Sequence, residues 1–268
     1  MLLRMYACFE LLDRSYRHYR RLLLSVCLSL CCTLTNAAPQ ALTMIISSDS
    51  APKMFVNAEG NPDGYLPEIA MEAGRRAGFD IHIVAVPWAR AVNMAEHGEG
   101  IICGLSLLPE REKIYRYSVP VVVDRVLIVT MKNKHMVANS LADLKGKVVG
   151  VNRGSKYGEK FANELSLVTV DEDSSSKLRL KKLAMGRIDG AIMPGGVAAV
   201  RMNARLADIP FEDLTIQKTA VALDPNYFAI AHSVPDANGI IDRLDAALNT
   251  MIADGSLNKI LAAWNEQK

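Results

Sequence analysis

The sequence predicts an α/β protein of two lobes with a cleft between them, and three observations support this. Short apolar runs alternate with amphipathic segments along most of the chain, which is typical of largely parallel sheets covered by helices. A second series of the same kind begins near residues 140–150. Two extended segments, 119–131 and 215–223, connect the two series. Clefts between lobes joined in this way commonly hold ligands and close by hinge motion.

Residues 1–38 have the pattern of a secretory signal peptide. Four arginines between positions 14 and 21 precede an apolar run over 22–34, and Ala37 and Ala38 follow it as small residues suited to cleavage. The run is shorter than the roughly 20 residues that a membrane span needs. An uncleaved anchor and a translation start at Met5 or later are the alternatives. We expect a soluble product, residues 39–268, in the periplasm.

The first series supplies the first lobe. Glycines that accept left-handed conformations, Gly78 and Gly98, follow its two predicted helices. A further short helix, after these two, carries Arg111 and precedes the extended segment 119–131. The elements predicted in this series are strands at 42–47, 81–86 and 100–103 and helices at 66–77 and 88–96.

The second series opens on Ser140 and Asp143, which have capping-box spacing. We assign residues 39–124 to the first lobe, 125–221 to the second, and 222–268 to a return to the first. The remaining predicted elements are strands at 148–151, 188–193 and 227–231 and helices at 156–165, 174–185, 195–203, 240–253 and 257–266.

Charge and cysteine content exclude some function classes. The whole chain carries +2, and residues 1–38 carry five arginines against Glu10 and Asp13, or +3, which leaves about −1 for the remainder. That balance gives no electrostatic footprint for nucleic acid or an anionic membrane. Cys103 is the one cysteine after residue 38, so the mature chain forms no internal disulfide. On a predicted apolar strand, it is most simply a small buried hydrophobe.

Arg111 is the first candidate binding residue. It follows the turn Gly104–Leu105–Ser106, and a guanidinium presents a planar fork of donors that matches the two oxygens of a carboxylate. The alternative is a surface ion pair with Glu110 or Glu112.

Two further turns are candidates for ligand contact. Gly154 and Ser155 lie between a predicted strand and helix, where free backbone N–H groups favour an anion, although Ser155 is equally suited to an ordinary helix cap. Pro194 suits a first helical position, and the glycines after it allow a close approach of a ligand or serve packing. Trp88 is the best aromatic candidate for a cleft wall, with core packing as the alternative.

Signatures of catalysis or metal binding are scarce. The chain contains no GxSxG or HExxH motif, and its mature part has no CxxC pair and no histidines at metal-binding spacing. We therefore predict a protein that is not an enzyme and carries neither a metal nor a cofactor.

An ordered set of short motifs carries a family resemblance. The set includes Gly64–Tyr65, Pro87–Trp88, Glu110–Arg111, Gly154–Ser155 and a GRID segment at 186–189. Over nearly all of residues 42–268 the chain resembles the extracellular solute-binding proteins of family 3, the polar amino-acid-binding receptors of bacterial ABC importers.

The resemblance implies a type II periplasmic-binding-protein fold whose cleft holds the ligand. Arg111 matches the family's carboxylate-binding arginine, Ser106 a ligand-contacting turn, and Gly154–Ser155 the carboxylate site of the second lobe. Trp88 and Tyr157 would then line the cleft.

Three departures from the family pattern concern the ligand. Met193–Pro194 stands where members that bind α-amino acids usually carry an acid for the ammonium group. The aromatic residue usual after the first strand is absent from residues 48–52, and Cys103–Gly104 replaces polar residues before the ligand turn. A buried ammonium without a partner costs several kcal/mol, roughly. Either another acid supplies the charge, with Asp49, Glu68 and Asp224 as candidates, or the ligand lacks the ammonium group.

Three functions remain open on the sequence alone. The first is a monomeric receptor that passes a small carboxylate ligand to the membrane permease of an ABC importer. The second is an input module for a membrane sensor. The third is an enzyme similar to cyclohexadienyl (arogenate/prephenate) dehydratases, although no residue is convincingly placed as its general acid.

Overall fold

The computed structural model describes residues 39–217 and 219–266. The predicted signal peptide, residues 1–38, lies outside the described residues. The strands are β1 (Gln40–Ser47), β2 (Asp49–Ser50), β3 (Met54–Val56), β4 (Pro62–Asp63), β5 (Phe79–Val86), β6 (Ile101–Ser106), β7 (Tyr115–Tyr117), β8 (Val122–Met131), β9 (Val148–Asn152), β10 (Thr169–Asp173), β11 (Gly190–Met193), β12 (Leu214–Ile216) and β13 (Ala222–Ala231).

The helices cover these strands on both sides of the cleft. They are α1 (Tyr65–Ala77), α2 (Trp88–Glu96), α3 (Pro109–Glu112), α4 (Glu159–Glu164), α5 (Ser176–Ala184), α6 (Gly196–Ala207), α7 (Ala237–Ala253) and α8 (Ser256–Glu266). Among these, no helix has the length and apolar character needed to cross a bilayer.

The first lobe is built around β1. This strand pairs in parallel with β5 on one side and β6 on the other, and β13 runs antiparallel to β6. Its Met44–Ile46 run is fully buried, as expected for a central strand covered on both faces. Helix α1 turns Leu66, Ile69, Ala70 and Ala73 into the same core, because residues three and four apart share one helix face.

The second lobe has a core on each face of its sheet. β8 pairs with β11 and β12, and β9 lies between β11 and β10. Along β8, Leu127 and Val129 belong to one core, whereas Val126 and Ile128 belong to the other. This division follows the two-residue period of a strand.

The two lobes are joined by β8 and β13, which lie side by side. Residues Val122–Val126 of β8 pair antiparallel with Ala222–Asn226 of β13, so that Asp124 stands opposite Asp224. Beyond this pair, β8 continues into the second lobe and β13 into the first. The predicted crossing at 119–131 corresponds to β8. The second crossing is β13, so its predicted position at 215–223 was mostly too early in the chain. The lobe boundaries stay predictions.

Most predicted elements are confirmed with shifted ends; the last strand begins at Ala222 and the helix after it at Ala237, both earlier than predicted, and two other helices begin later than predicted. The helix predicted from residue 156 begins at Glu159, because Tyr157 (φ 42°) and Gly158 (φ 88°) adopt left-handed conformations that interrupt a helix. The helix predicted from residue 195 begins at Gly196, after a left-handed Gly195, and continues to Ala207. The sequence analysis missed the short strands β2, β3, β4, β7 and β12, and also β10.

Candidate functional site

A small cavity lies where the two lobes meet, and we call it the cleft cavity. Its volume is about 20 Å³, roughly the space of one water molecule, so any larger ligand requires the lobes to separate. The residues that line it are Ser50, Lys53, Met54, Trp88, Gly104, Ser106, Arg111, Asn152, Ser155, Lys156, Tyr157, Pro194 and Asp224.

Arg111 extends from the single turn of α3 and is 8% exposed. Its Nη1 donates to the carbonyl oxygen of Ser106 at 3.2 Å, and its Nη2 donates across the cleft to that of Gly154 at 3.3 Å. Glu110, its sequence neighbour, pairs instead with Lys156 at 2.9 Å. Among the described residues no carboxylate forms an ion pair with Arg111, whose partners are these two carbonyl oxygens. The surface ion pair considered above is therefore wrong.

Ser106 connects Arg111 to a buried acid. While its carbonyl accepts from Arg111, its Oγ donates to Asp224 Oδ2 at 2.7 Å. Asn226 Nδ2 donates to the same carboxylate oxygen at 3.1 Å. Asp224 is 3% exposed, and burial raises its pKa above the ordinary value for an aspartate.

Lys53 is a second cation in the cleft. Its Nζ donates to Asp124 Oδ2 at 2.5 Å and to Asn226 Oδ1 at 2.9 Å. Burial alone would lower the pKa of Lys53, but the adjacent Asp124 raises it above its ordinary value. The lysine therefore stays charged and forms a buried ion pair with Asp124.

Three polar atoms of the cavity wall are buried without a hydrogen-bond partner. They are Trp88 Nε1, Asn152 Oδ1 and the Tyr157 hydroxyl. Burial raises the pKa of Tyr157, and the positive charge of Arg179 and the nearby Ser155 offset part of this shift. Buried polar groups are nearly always satisfied, so three unsatisfied ones around one cavity mark a place that a polar molecule, a water or a ligand, would fill.

The turn at Gly154–Ser155 in the second lobe does not form the N-terminus of a helix. Ser155 N–H donates to the Asn152 carbonyl at 3.0 Å, and α4 begins four residues later. The expected role of a helix N-terminus at Ser155 is therefore wrong. A Cβ atom on Gly154 would lie 3.9 Å from Trp88 and Ala89, so this glycine brings the turn against the first lobe.

The structure brings seven of the eight predicted site residues to the cleft cavity. Arg111, Ser106, Trp88, Ser155, Tyr157 and Pro194 line it, and Gly154 contacts its rim through Arg111. Pro194 precedes the cap of α6, so the first helical position expected for it is wrong. The eighth residue, Asp49, is exposed and accepts a hydrogen bond from Ser48 Oγ at 2.6 Å.

The three candidate acids for an ammonium group lie in different parts of the structure. Glu68 lies on the outer side of α1, where its carboxylate accepts a hydrogen bond from Trp264 Nε1 at 2.9 Å. Asp224 alone of the three lines the cavity. The sequence analysis did not single out Lys53, Asn152 and Asp124. For Asp124 a signal was available in the sequence, because it is an acidic residue in a largely apolar strand.

Comparison with known proteins agrees with this architecture. The sequence pattern of the bacterial extracellular solute-binding proteins, family 3, matches residues 42–267. ABC transporter arginine-binding protein 1 of Escherichia coli K12 is 29% identical over 175 residues, which cover 63% of this chain and 67% of that protein. L-cystine-binding protein TcyJ of the same strain is 23% identical over 238 residues, covering 86% and 85%.

Comparison with solved structures gives the same fold. The P235GK mutant of ArgBP from T. maritima superposes with a TM-score of 0.72 at 21% identity, over 84% of this chain and 94% of that one. The fold is the type II periplasmic-binding-protein fold, with two α/β lobes and a cleft. With the family pattern matched over nearly all the described residues, this chain belongs to the bacterial extracellular solute-binding proteins of family 3.

Proposed function

We propose that this protein captures a small carboxylate-bearing molecule, an amino acid or a related compound, and presents it to the membrane permease of an ABC importer. The observation that carries the proposal is the buried Arg111 guanidinium, whose partners in the described residues are two carbonyl oxygens. A charged carboxylate is a stronger acceptor for this fork than either carbonyl. The names of the arginine- and cystine-binding relatives support an amino acid as the ligand class.

Closure of the two lobes would couple capture to delivery. Arg111 and Ser106 belong to the first lobe, whereas Ser155, Tyr157 and Pro194 approach from the second. A ligand that contacts both sides favours the closed form, because it shifts the equilibrium by its difference in affinity for the two forms. The closed surface is then what a permease would recognise.

A thermal-shift screen of the purified protein tests the proposal. The panel holds polar amino acids including arginine and cystine, their deaminated analogues, polyamines, and prephenate with arogenate. A ligand at 100 times its dissociation constant stabilises the folded state by about 2.7 kcal/mol, which is visible as a higher melting temperature. If no carboxylate in the panel raises the melting temperature, the proposed ligand class is wrong.

Replacing Arg111 by alanine tests its role. We expect Arg111→Ala to weaken binding of the stabilising carboxylate by about 2 kcal/mol or more, because a charge-assisted contact is lost. Isothermal titration calorimetry measures the change. The matched control is Arg116→Ala, which removes a half-buried arginine that pairs with Asp242 at the surface, and this variant should bind as the wild type does. Unchanged affinity in a folded Arg111→Ala variant would show that Arg111 does not bind the ligand.

The cellular location follows from the predicted signal peptide. We propose export to the periplasm with cleavage after Ala38. Mass spectrometry of the protein recovered from a periplasmic fraction should give a chain that begins at Pro39. Recovery of an intact N-terminus would support an uncleaved anchor instead.

We further propose that the protein acts as a monomer, binds no nucleic acid and catalyses no reaction. The curated relatives are named as binding proteins, which favours uptake over the sensor and dehydratase alternatives. Incubation with prephenate or arogenate should leave both unchanged, and an aromatic product would establish an enzyme. Light scattering with and without ligand measures the oligomeric state.

A further inference from the structure

Four charged side chains line the cleft cavity: Lys53, Arg111, Lys156 and Asp224. Lys156 pairs with Glu110 at the rim, and Lys53 pairs with Asp124 while its positive charge also acts on Asp224. Arg111 and Asp224 remain. In the described residues neither has an oppositely charged partner within 4 Å, and they do not pair with each other.

Ser106 fixes these two unpaired charges on opposite sides of one residue. Its carbonyl oxygen accepts from Arg111 and its hydroxyl donates to Asp224 Oδ2. The other hydrogen bond to the Asp224 carboxylate comes from a neutral amide, that of Asn226. One cation and one anion, both nine-tenths buried and held by the same serine, are suited to a molecule that carries both a carboxylate and an ammonium group.

We propose that Asp224 accepts the ammonium group of a zwitterionic ligand whose carboxylate lies on Arg111. This inference rests on the proposed function and specifies its ligand. It resolves the departure at Pro194: the acid comes from β13, between the lobes, instead of from the turn that follows β11. A carboxylate without the ammonium group would leave two buried acids, Asp124 and Asp224, to share the single charge of Lys53, which is costly.

The test compares amino acids with their 2-hydroxy acid counterparts by isothermal titration calorimetry. The probes are the twenty proteinogenic L-amino acids and L-cystine, each against the 2-hydroxy acid of the same carbon skeleton. The variant is Asp224→Asn, which keeps the side-chain shape and an acceptor for Ser106. Asp224→Ser is a second variant should the first fail to fold, and circular dichroism checks both. Glu68→Gln is the matched control, since it removes a carboxylate on the outer side of α1.

We expect the wild type and Glu68→Gln to bind at least one amino acid about tenfold or more tighter than its hydroxy acid, as loss of a charged hydrogen bond implies. In the Asp224 variants the ratio should fall below about threefold. Equal binding of both acids by the wild type, or a tenfold preference that survives in a folded Asp224 variant, overturns the inference. Binding of hydroxy acids alone overturns the role of Asp224 and leaves the proposed function intact. Binding of neither class overturns the role of Asp224 and the proposed function together.

Discussion

At the scale of single residues, the main feature is the set of unsatisfied polar atoms on Trp88, Asn152 and Tyr157. An unsatisfied buried donor or acceptor costs about 1–3 kcal/mol. Such groups are therefore expected where a ligand completes the hydrogen bonds. All three line the cleft cavity, and two of them, Asn152 and Tyr157, belong to the second lobe.

Tyr157→Phe tests one of these atoms. The change removes a hydroxyl that has no partner in the structure, so the free energy of unfolding without ligand should stay the same or rise by up to about 1 kcal/mol. Affinity for the ligand found in the screen should fall about fivefold, the loss of one neutral hydrogen bond. Chemical denaturation and calorimetry measure the two quantities.

The control for this variant is Tyr115→Phe. The Tyr115 hydroxyl donates to the Val92 carbonyl at 3.3 Å within the first lobe, so its loss should affect stability and leave affinity unchanged. Equal affinity of Tyr157→Phe and the wild type would mean that the Tyr157 hydroxyl does not contact the ligand.

The sequence was informative about residues whose chemistry is local. Arg111 after a small-residue turn and Ser155 after a strand were recognised, and the structure brings both to one cavity. Lys53 and Asn152 were not recognised, because their significance depends on partners far along the chain. Lys53 contacts Asp124, 71 positions away, and Asn226, 173 positions away. No periodicity or short motif reports such a contact.

At the scale of elements, a buried arginine organises the second lobe. Arg179 of α5 is fully buried and donates to both carboxylate oxygens of Asp173, at 3.1 Å and 2.7 Å. Its Nη1 also donates to the carbonyl of Ile192 at 2.6 Å. One side chain thus fastens α5 to the end of β10 and to β11, which leads into Pro194 at the cleft.

Arg179→Met should destabilise the protein by about 3–5 kcal/mol, because it leaves Asp173 buried without a charge partner. Urea denaturation followed by circular dichroism measures the change. Arg75→Met is the control: Arg75 is exposed and pairs with Glu72 on the surface of α1, so the expected change is within about 0.5 kcal/mol. A similar small loss for Arg179→Met would contradict this account of the lobe.

Long elements were predicted better than short ones. β1, β5, α1 and α2 have strong apolar periods, and the structure confirms them with ends shifted by a residue or two. β10 was missed because its sequence, TVDED, is polar and partly exposed. The start of α4 was missed because a tyrosine in a left-handed conformation, Tyr157, has no signature in the sequence.

At the scale of the whole molecule, the lobes contact each other at separate points around the cleft. Asn203 on α6 donates through Nδ2 to the carbonyl of Ala51 at 2.8 Å, and both residues are buried. Lys156 pairs with Glu110 at the rim, where both are about half exposed. Exposed ion pairs contribute little, so the buried amide contact contributes more to closure.

Asn203→Ala should shift the molecule towards the open form and weaken ligand binding about fivefold, since the closed form loses a buried hydrogen bond. Calorimetry gives the affinity, and small-angle X-ray scattering gives the radius of gyration with and without ligand. Asn163→Ala, on the exposed face of α4, is the control and should change neither. An affinity equal to that of the wild type would show that this contact does not contribute to closure.

The side-by-side arrangement of β8 and β13 also has a kinetic consequence. Arg111 and Ser106 belong to the first lobe, and Asp224 lies on the strand that returns to it, so both charged groups of the proposed site are available before the lobes meet. We therefore expect the open form to set the rate of ligand association and the contacts of the second lobe to slow ligand dissociation. Changes in Ser155 or Tyr157 should shorten the residence time of a bound molecule and leave its capture rate nearly unchanged.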